Sequence, residues 1–449
     1  MNLEHRKVLV FGSGISGIGA SKLLVAKEAK VILYDGNTLR SREEIESLLG
    51  VEAVEVIVGD LSVEVMEQLD LVVLSPGVPT DLPIVNQFRA LHIPIWGEIE
   101  LAYHVGKGRI LAITGTNGKT TTTALLGEIM KAYNPETYVV GNIGMPYTDI
   151  ALQTTEHSII VAEVSSFQLE TIQDFKPEVS AILNITPDHL NRHHTMEAYI
   201  EAKQNVAMNQ TKEQICVLNY EDQETKQFGE NGMTDVLYFS SLRKLEKGIY
   251  LDNQSIVYND GSKETVLCTV DELKMLGVHN YENVMAASAM AISFGVPISV
   301  VKSVICEFTG VEHRIEFVCE KDGVTYYNDS KGTNPDAAIK GIQAMNRPTI
   351  LIGGGYDKES SYTEWIEAFQ GKVKTLILTG QTRYKIQEAA LLCGFTDVVL
   401  EEDFDKAVEI SKNLAQEGEA VLLSPACASW GVFKNFEERG DKFKELVKK

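Results

Sequence analysis

The stretch ILAITGTNGKTT, residues 110–121, decides how the chain is built. An apolar run leads directly into a loop rich in glycine and threonine, and the next residues, TTALLGEIMKAY, are typical of a helix. The backbone N–H groups of such a loop surround phosphates, Lys119 reaches the outer phosphate oxygens, and a threonine hydroxyl binds Mg²⁺. Ile113 stands where the common pattern has its first glycine, but Gly118-Lys119-Thr120 keeps the part that contacts phosphate. The stretch therefore predicts a mononucleotide site.

A second glycine loop lies near the N-terminus, where VLVF (8–11) runs into GSGISG (12–17) and then into small and apolar residues. Asp35 ends the next predicted strand. This order is typical of Rossmann folds, in which glycines let a diphosphate approach a helix N-terminus and an acid lies near the ribose or base. The pattern predicts a nucleotide diphosphate, which either NAD or a UDP-linked ligand would supply.

Short β-branched runs alternate with longer amphipathic stretches along the chain, which favours parallel sheets covered by helices. We predict an α/β fold of three domains: a Rossmann-like domain at 1–97, a central P-loop domain at 98–310 and a Rossmann-like domain at 311–449. Short strands with polar turns at 253–269 predict a small antiparallel flap in the central domain. The predicted strands are Val8–Phe11, Val31–Tyr34, Val56–Val58, Leu71–Leu74, Ile93–Trp96, Arg109–Ile113, Ile159–Val164, Val179–Asn184, Thr349–Ile352, Leu376–Thr379 and Ala420–Leu423.

The composition narrows the class of protein. Hydrophobic residues make up 44% and charged residues 23%, which is typical of globular proteins. A formal net charge of −22 disfavours nucleic-acid binding, which needs a cationic surface. We find no run of about 18 apolar residues, so no membrane span is predicted. The six cysteines include no CxxC pair, which indicates reduced thiols in a cytoplasmic protein.

Two acidic strand ends point to a metal. Glu163 ends the predicted strand Ile159–Val164, and Asp188 and His189 follow the next strand. Because the carboxyl ends of parallel strands meet at one edge of a sheet, we expect Glu163 and His189 to lie beside the glycine loop. Carboxylate oxygens suit Mg²⁺, so both residues are candidate site residues.

Several motifs, in order along nearly the whole chain, resemble those of the Mur ligases. NDSKGTN and the last motif are similar to those of the D-glutamate-adding members. The motifs are GTNGKTT (115–121), GNIG (141–144), EVSSFQLE (163–170), TPDHL (186–190), EAYIEAKQN (197–205), HNYEN (279–283), HRIEF (313–317), NDSKGTNPDA (328–337) and SPACASWGVFKNFEERG (424–440).

This resemblance implies an ATP-dependent amide ligase that adds D-glutamate to UDP-N-acetylmuramoyl-L-alanine through an acyl phosphate. It implies ATP and two Mg²⁺ ions, and we expect a cytoplasmic monomer. Lys203, which its position on the predicted helix Met196–Met208 would alone place at the surface, becomes a carbamylated metal ligand. Trp430 stands at a position that varies in the family, and the glycine run Gly353–Gly355 lies one residue farther from Lys358 than the family pattern has it.

The resemblance also assigns individual residues. Lys119, His189 and Lys203 are expected to be catalytic. The UDP-linked substrate is expected at Ser13, Ile15, Ser16, Asp35, Ser75, Gly77 and Asn142. ATP is expected at Gly115, Thr116, Asn117, Gly118, Lys119, Thr120, Thr121, Asn280, Asn283, His313, Arg314 and Asp329. D-glutamate is expected at Lys331, Thr333, Lys358, Ser429 and Phe436, and Mg²⁺ at Thr120, Glu163, His189 and Lys203.

Three other classes of protein stay open. A folate polyglutamate ligase shares the ATP loop and glutamate transfer, but it does not account for the first glycine loop or for FKNFEERG (433–440). An NAD-dependent oxidoreductase accounts for the first loop but not for GTNGKTT. A non-catalytic nucleotide-binding regulator would not need the candidate catalytic residues.

Overall fold

The computed structural model describes residues 2–232 and 234–449. In these residues the strands form three sheets, of five, nine and six strands, and the predicted α/β fold of three domains is confirmed. The chain packs into two compact units, one of residues 1–267 with 283–304 and the other of residues 268–282 with 305–449. No helix within the described ranges has the length and apolar character needed to cross a membrane.

The first sheet is parallel throughout, in the order β3-β2-β1-β4-β5. Val10 and Leu9 are buried on opposite faces of its central strand, because helices cover both sides of a parallel sheet. The elements are β1 (Lys7–Phe11), α1 (Ile15–Ala26), β2 (Lys30–Asp35), α2 (Arg42–Leu49), β3 (Val54–Val58), α3 (Val63–Met66), β4 (Leu71–Leu74), α4 (Pro83–Ala90), β5 (Ile95–Gly97) and α5 (Glu98–Val105).

The second sheet has the strand order β14-β13-β12-β11-β10-β9-β6-β8-β7. Its elements are β6 (Arg109–Thr114), α6 (Lys119–Tyr133), β7 (Thr137–Gly141), α7 (Tyr147–Ile150), β8 (Ile159–Glu163), α8 (Ser166–Leu169), β9 (Val179–Ile182), α9 (Leu190–His193), α10 (Met196–Gln204), β10 (Ile215–Asn219), α11 (Gln223–Glu230), β11 (Asp235–Ser240), β12 (Gly248–Asp252), β13 (Ser255–Asn259) and β14 (Glu264–Thr269). Helices α12 (Val278–Phe294) and α13 (Ile298–Glu307) follow. The predicted antiparallel segment is present and extends this sheet, because β12 pairs parallel with β11 and antiparallel with β13.

The third sheet has the order β15-β16-β20-β17-β18-β19, parallel except for the β15–β16 pair. Its elements are β15 (Glu316–Lys321), β16 (Val324–Asn328), α14 (Pro335–Ala344), β17 (Thr349–Gly354), α15 (Thr363–Glu367), β18 (Val373–Thr379), α16 (Arg383–Leu392), β19 (Val398–Leu400), α17 (Phe404–Leu414), β20 (Ala420–Leu423) and α18 (Phe436–Lys448). From β17 the chain moves outward through β18 and β19, and it then returns to β20 on the other side of β17. Ligands of open α/β sheets bind at such a switch point, outside the carboxyl ends of the strands.

The first glycine loop gives a test of the fold. A Cβ atom on Gly17 would lie 1.8 Å from the carbonyl oxygen of Gly12, whereas one on Gly14 would meet no atom within 4 Å. We expect Gly17→Ala to lower the free energy of unfolding by about 1–3 kcal/mol, because the loop must shift to admit the methyl group. The matched control Gly14→Ala should change it by no more than about 0.5 kcal/mol. Urea unfolding measures both, and equal effects of the two substitutions would contradict the packing described here.

Candidate active site

The loop between β1 and α1 is held by an anion. Ser13 donates hydrogen bonds from its backbone N–H, at 3.0 Å, and from its hydroxyl to one carboxylate oxygen of Asp35. Partial burial alone would raise the pKa of Asp35. The hydrogen bonds from Ser13 and Asn37 outweigh that effect, so the pKa lies below its ordinary value. Asp35 is therefore an anion that fixes the loop from the neighbouring strand.

The turn after β4 completes this edge of the first sheet. The Ser75 hydroxyl donates to the carbonyl oxygen of Gly12 at 3.1 Å, and Gly77 lies in the same turn. The side chain of Ile15 is 79% exposed at the start of α1, beside the half-buried Ser16. Six of the seven residues predicted for the UDP-linked substrate thus lie at the carboxyl edge of one sheet, and the seventh, Asn142, lies in the second sheet.

The second glycine loop, between β6 and α6, is fixed by Asn184. The side chain of Asn184 accepts a hydrogen bond from Asn117 N at 2.8 Å and donates one to Asn117 O at 3.1 Å. The carbonyl oxygen of Asn184 accepts from Thr116 N at 2.9 Å. The sequence analysis did not assign Asn184 to the site, although an asparagine just after a buried strand and before TPDHL was the available signal.

Lys119 and the threonines after it occupy the start of α6. The Lys119 ammonium donates to the carbonyl oxygens of Gly115, at 2.9 Å, and Thr116, at 3.0 Å, so it lies against the loop itself. Gly118 has a φ of +84°, and a Cβ there would lie 2.3 Å from the side-chain oxygen of Asn283. The loop and the helix N-terminus together offer N–H donors and positive charge to an anion.

Glu163 tests whether this edge suits a cation. It ends β8 and is almost fully buried. Its Oε1 accepts a hydrogen bond from Asn142 Nδ2 at 2.7 Å, whereas its Oε2 is buried with no hydrogen-bond partner in the described structure. A buried carboxylate oxygen without a donor is costly unless a cation meets it. The arrangement therefore fits a hard divalent cation.

Lys203 is not the surface lysine that its position predicted. Its side chain is 2% exposed, and Nζ donates to the carbonyl oxygen of Gly115 at 2.8 Å, inside the glycine loop. The ammonium also lies 4.7 Å from the ring centre of Tyr199. Burial, with the positive charge of Lys119 as a second cause, lowers the pKa of Lys203 to about 7. At neutral pH, a large fraction of the molecules therefore carry Lys203 as a neutral amine.

Among the described residues, the His189 ring lies 3.6 Å from a carboxylate oxygen of Asp188 and does not pair with Glu163 or Lys203. It adopts a left-handed conformation with a φ of +52°, its ring is half exposed, and it packs 5.0 Å from the ring of Phe167.

A neighbouring group that the sequence analysis missed joins Glu170 to Arg192, at 2.8 Å, and to His193, at 3.3 Å. Burial lowers the pKa of His193 despite the carboxylate beside it. The second glutamate of EVSSFQLE and the basic residues after TPDHL were the signal for this group.

Two of the residues predicted for ATP, Asn280 and Asn283, are each held inside their own unit. Asn280 donates to the carbonyl oxygen of Leu276 at 2.7 Å in one unit. Asn283 accepts from the Thr122 hydroxyl at 3.2 Å in the other. Both side chains are buried.

The residues predicted for ATP at the third sheet include a buried acid, Asp329. Asp329 accepts from the Ser424 hydroxyl at 2.7 Å and from Ile315 N at 3.3 Å. Burial raises the pKa of Asp329 to about 7, although the Ser424 hydrogen bond and the exposed Arg314 oppose it. His313 shares a 3.0 Å hydrogen bond with the Asn328 side chain.

The residues predicted for D-glutamate lie after three different strands of the third sheet and at the start of α18. Lys331 and Thr333 follow β16, Lys358 follows β17, and Ser429 follows β20. The Lys331 ammonium lies 5.5 Å from the ring centre of Phe436. A pocket of about 380 Å³ opens between the ends of β17 and β18 and the segment 429–433, and its lining includes Ser429 but not Lys331, Thr333, Lys358 or Phe436.

Comparison with known sequences matches three segments of the chain to domains of one family. Residues 6–97 match the Mur ligase MurD-like N-terminal domain, residues 113–291 the Mur ligase middle domain, and residues 313–427 the Mur ligase glutamate ligase domain. The chain is 56% identical to a UDP-N-acetylmuramoylalanine–D-glutamate ligase of Lachnoclostridium phytofermentans, with 100% of this chain and 99% of the relative covered. A relative of the same name from Lachnospira eligens is 53% identical at the same coverage.

Crystal structures of distant relatives share the fold. UDP-N-acetylmuramate–alanine ligase MurC from Thermotoga maritima aligns with a TM-score of 0.58 at 19% identity, over 99% of both chains. MurF ligase from Thermotoga maritima in complex with ADP gives 0.57 at 16% identity, over 99% of this chain and 98% of that one. With all three domains matched in sequence and the fold matched in structure, the chain belongs to the Mur ligase family.

Proposed function

We propose that this chain joins D-glutamate to the carboxyl group of UDP-N-acetylmuramoyl-L-alanine at the expense of ATP, in the synthesis of peptidoglycan precursors. The observation that carries the proposal is 56% identity, over the full length, to a relative named for this reaction. The site agrees with it, because two glycine loops on separate sheets suit two phosphate ligands and a third sheet holds lysines at its switch point. We also propose that the enzyme works in the cytoplasm as a monomer.

The reaction needs activation because an amine and a carboxylate only form a salt. Transfer of the ATP γ-phosphoryl group to the alanyl carboxylate gives an acyl phosphate and ADP. The amine of D-glutamate then attacks the acyl carbon, and phosphate leaves with the bonding electrons while the nitrogen loses a proton. Lys119 and the N–H groups of the glycine loop would stabilise the charge on the transferring group.

The donor set at the second sheet would hold two Mg²⁺ ions. We assign Thr120 and Glu163 to one ion, and His189 with a carbamylated Lys203 to the other. Bound Mg²⁺ would neutralise the phosphate oxygens and polarise the phosphorus. The orphaned oxygen of Glu163 supports this assignment. Asn142 holds the other oxygen, so the carboxylate presents a fixed edge to the site.

The environment of Lys203 suits carbamylation. The neutral amine, which burial favours, attacks the carbon of CO₂ and loses a proton to give an anionic carbamate. That product puts a negative charge beside Lys119 and provides hard oxygen donors for Mg²⁺. Because the pKa is about 7, the neutral amine should dominate above pH 7 and the ammonium below it.

The remaining assignments follow the three sheet edges. The first sheet and Asn142 would take the UDP-linked substrate, through Ser13, Ile15, Ser16, Asp35, Ser75 and Gly77. The loop 115–121 would take the ATP phosphates, with Asn280, Asn283, His313, Arg314 and Asp329 serving the rest of ATP. Lys331, Thr333, Lys358, Ser429 and Phe436 would take D-glutamate.

The proposed reaction predicts which compounds are needed for turnover. Phosphate release from ATP should require both UDP-N-acetylmuramoyl-L-alanine and D-glutamate, because the acyl phosphate forms on the first and is consumed by the second. A coupled phosphate assay with each compound left out in turn measures this, and L-glutamate serves as the matched control. Equal turnover with L-glutamate, or a requirement for NAD, would rule out the proposal.

Lys203 gives a separate test of the metal assignment. Lys203→Ala should nearly abolish phosphate release, and added acetate or formate should restore part of it by supplying a carboxylate where the carbamate was. With ¹³C-labelled bicarbonate, the wild-type protein should show a carbamate NMR resonance that weakens as the pH falls below 7 and is absent from the variant.

Glu201→Ala, which removes an exposed side chain from the same helix, is the control and should keep both activity and the resonance. Full activity of Lys203→Ala, together with no carbamate resonance in the wild-type protein, would show that Lys203 is only a structural lysine.

A further inference from the structure

An aromatic pair forms one wall of the pocket at the third sheet. The rings of Tyr356 and Trp430 lie 5.6 Å apart at an angle of 60°. The backbone N–H of Tyr356 donates to the carbonyl oxygen of Ala428 at 2.9 Å. The loop after β17 is therefore tied to the loop after β20, next to Ser429. The indole of Trp430 remains 53% exposed in this position.

Trp430 is also the group that orients Lys358. The Lys358 ammonium lies 4.7 Å from the centre of the indole ring. The adjacent carboxylate, Asp357, is engaged by Lys385 at 3.0 Å and 3.1 Å instead. Throughout residues 2–232 and 234–449, no carboxylate lies within ion-pair distance of Lys358. The indole face is thus the contact that limits where this ammonium points.

This kind of contact suits a lysine that must bind an anion. A flexible lysine loses rotamer freedom when a ligand fixes it, so partial ordering beforehand favours binding. An aromatic face attracts the ammonium without neutralising it. A carboxylate partner, in contrast, would have to be displaced by the incoming anion. Lys331 lies over Phe436 in a similar way, so both lysines assigned to D-glutamate face an aromatic ring.

We infer that Trp430 is a positioning residue for the incoming amino acid, which acts by holding Lys358 ordered for a carboxylate of a dicarboxylic amino acid. This inference rests on the proposed function. Tyr356 supports the indole from the side, and the backbone hydrogen bond between the two loops sets the distance from Trp430 to Lys358.

The experiment is a double-mutant cycle in the phosphate-release assay. Trp430→Ala should raise the KM for D-glutamate by about 2- to 5-fold, the size expected for an exposed cation–π contact, and leave kcat and the KM for ATP unchanged. Trp430→Leu, which keeps an apolar side chain but lacks the π face, should behave in the same way, and Trp430→Phe should stay close to wild type. In a Lys358→Ala background, Trp430→Ala should have no further effect on the KM, because the indole then has no ammonium to hold.

Tyr133→Ala is the matched control. Tyr133 is also an exposed aromatic residue, but it ends α6 in the other compact unit and does not line the pocket, so its removal should leave all kinetic constants unchanged. An unchanged KM for D-glutamate in Trp430→Ala, or an increase that adds fully to that of Lys358→Ala, overturns this inference while the proposed function stands. A wild-type protein without turnover that depends on D-glutamate overturns the proposed function itself.

Discussion

A buried carboxylate with one unmet oxygen is the constraint on which the central site depends. Glu163 ends a fully buried strand, and only one of its oxygens has a donor, from Asn142. A buried anionic oxygen left in this state costs folding free energy, whereas a bound cation removes the cost. The position of Glu163 follows from the sheet, because β8 pairs with β6 and so ends beside the glycine loop. The strand thereby brings a buried carboxylate with one unmet oxygen to the glycine loop.

Two lysines of the protein, Lys203 and Lys358, differ in how deeply they are buried. Lys203 lies inside the glycine loop, where burial and Lys119 lower its pKa to about 7 and favour an uncharged amine. Lys358 is exposed to solvent, and its ammonium rests on an aromatic face. The same type of side chain therefore differs between the two positions because its surroundings differ.

Much of this arrangement could be predicted from the sequence, because glycine loops, strand-end acids and buried strands leave local patterns. Both glycine loops and Glu163 lie where the patterns put them. Local patterns predicted a strand from Val179 to Asn184, but the strand ends at Ile182. The side chain of Asn184 instead binds the glycine loop. Local patterns also could not predict the burial of Lys203 or the contact between Lys358 and Trp430, which bring together side chains far apart in the chain. Such contacts depend on sheet order, which periodicity alone does not specify.

The central claim is that Glu163 needs a cation, and the isosteric variant Glu163→Gln tests it most directly. The measurement is calorimetric titration of a non-hydrolysable ATP analogue into each protein, with and without Mg²⁺. The account predicts that Mg²⁺ strengthens binding to the wild-type protein but not to the variant, and that the variant, measured without Mg²⁺, resists urea at least as well as the wild type. An equal gain from Mg²⁺ in both proteins would contradict the account.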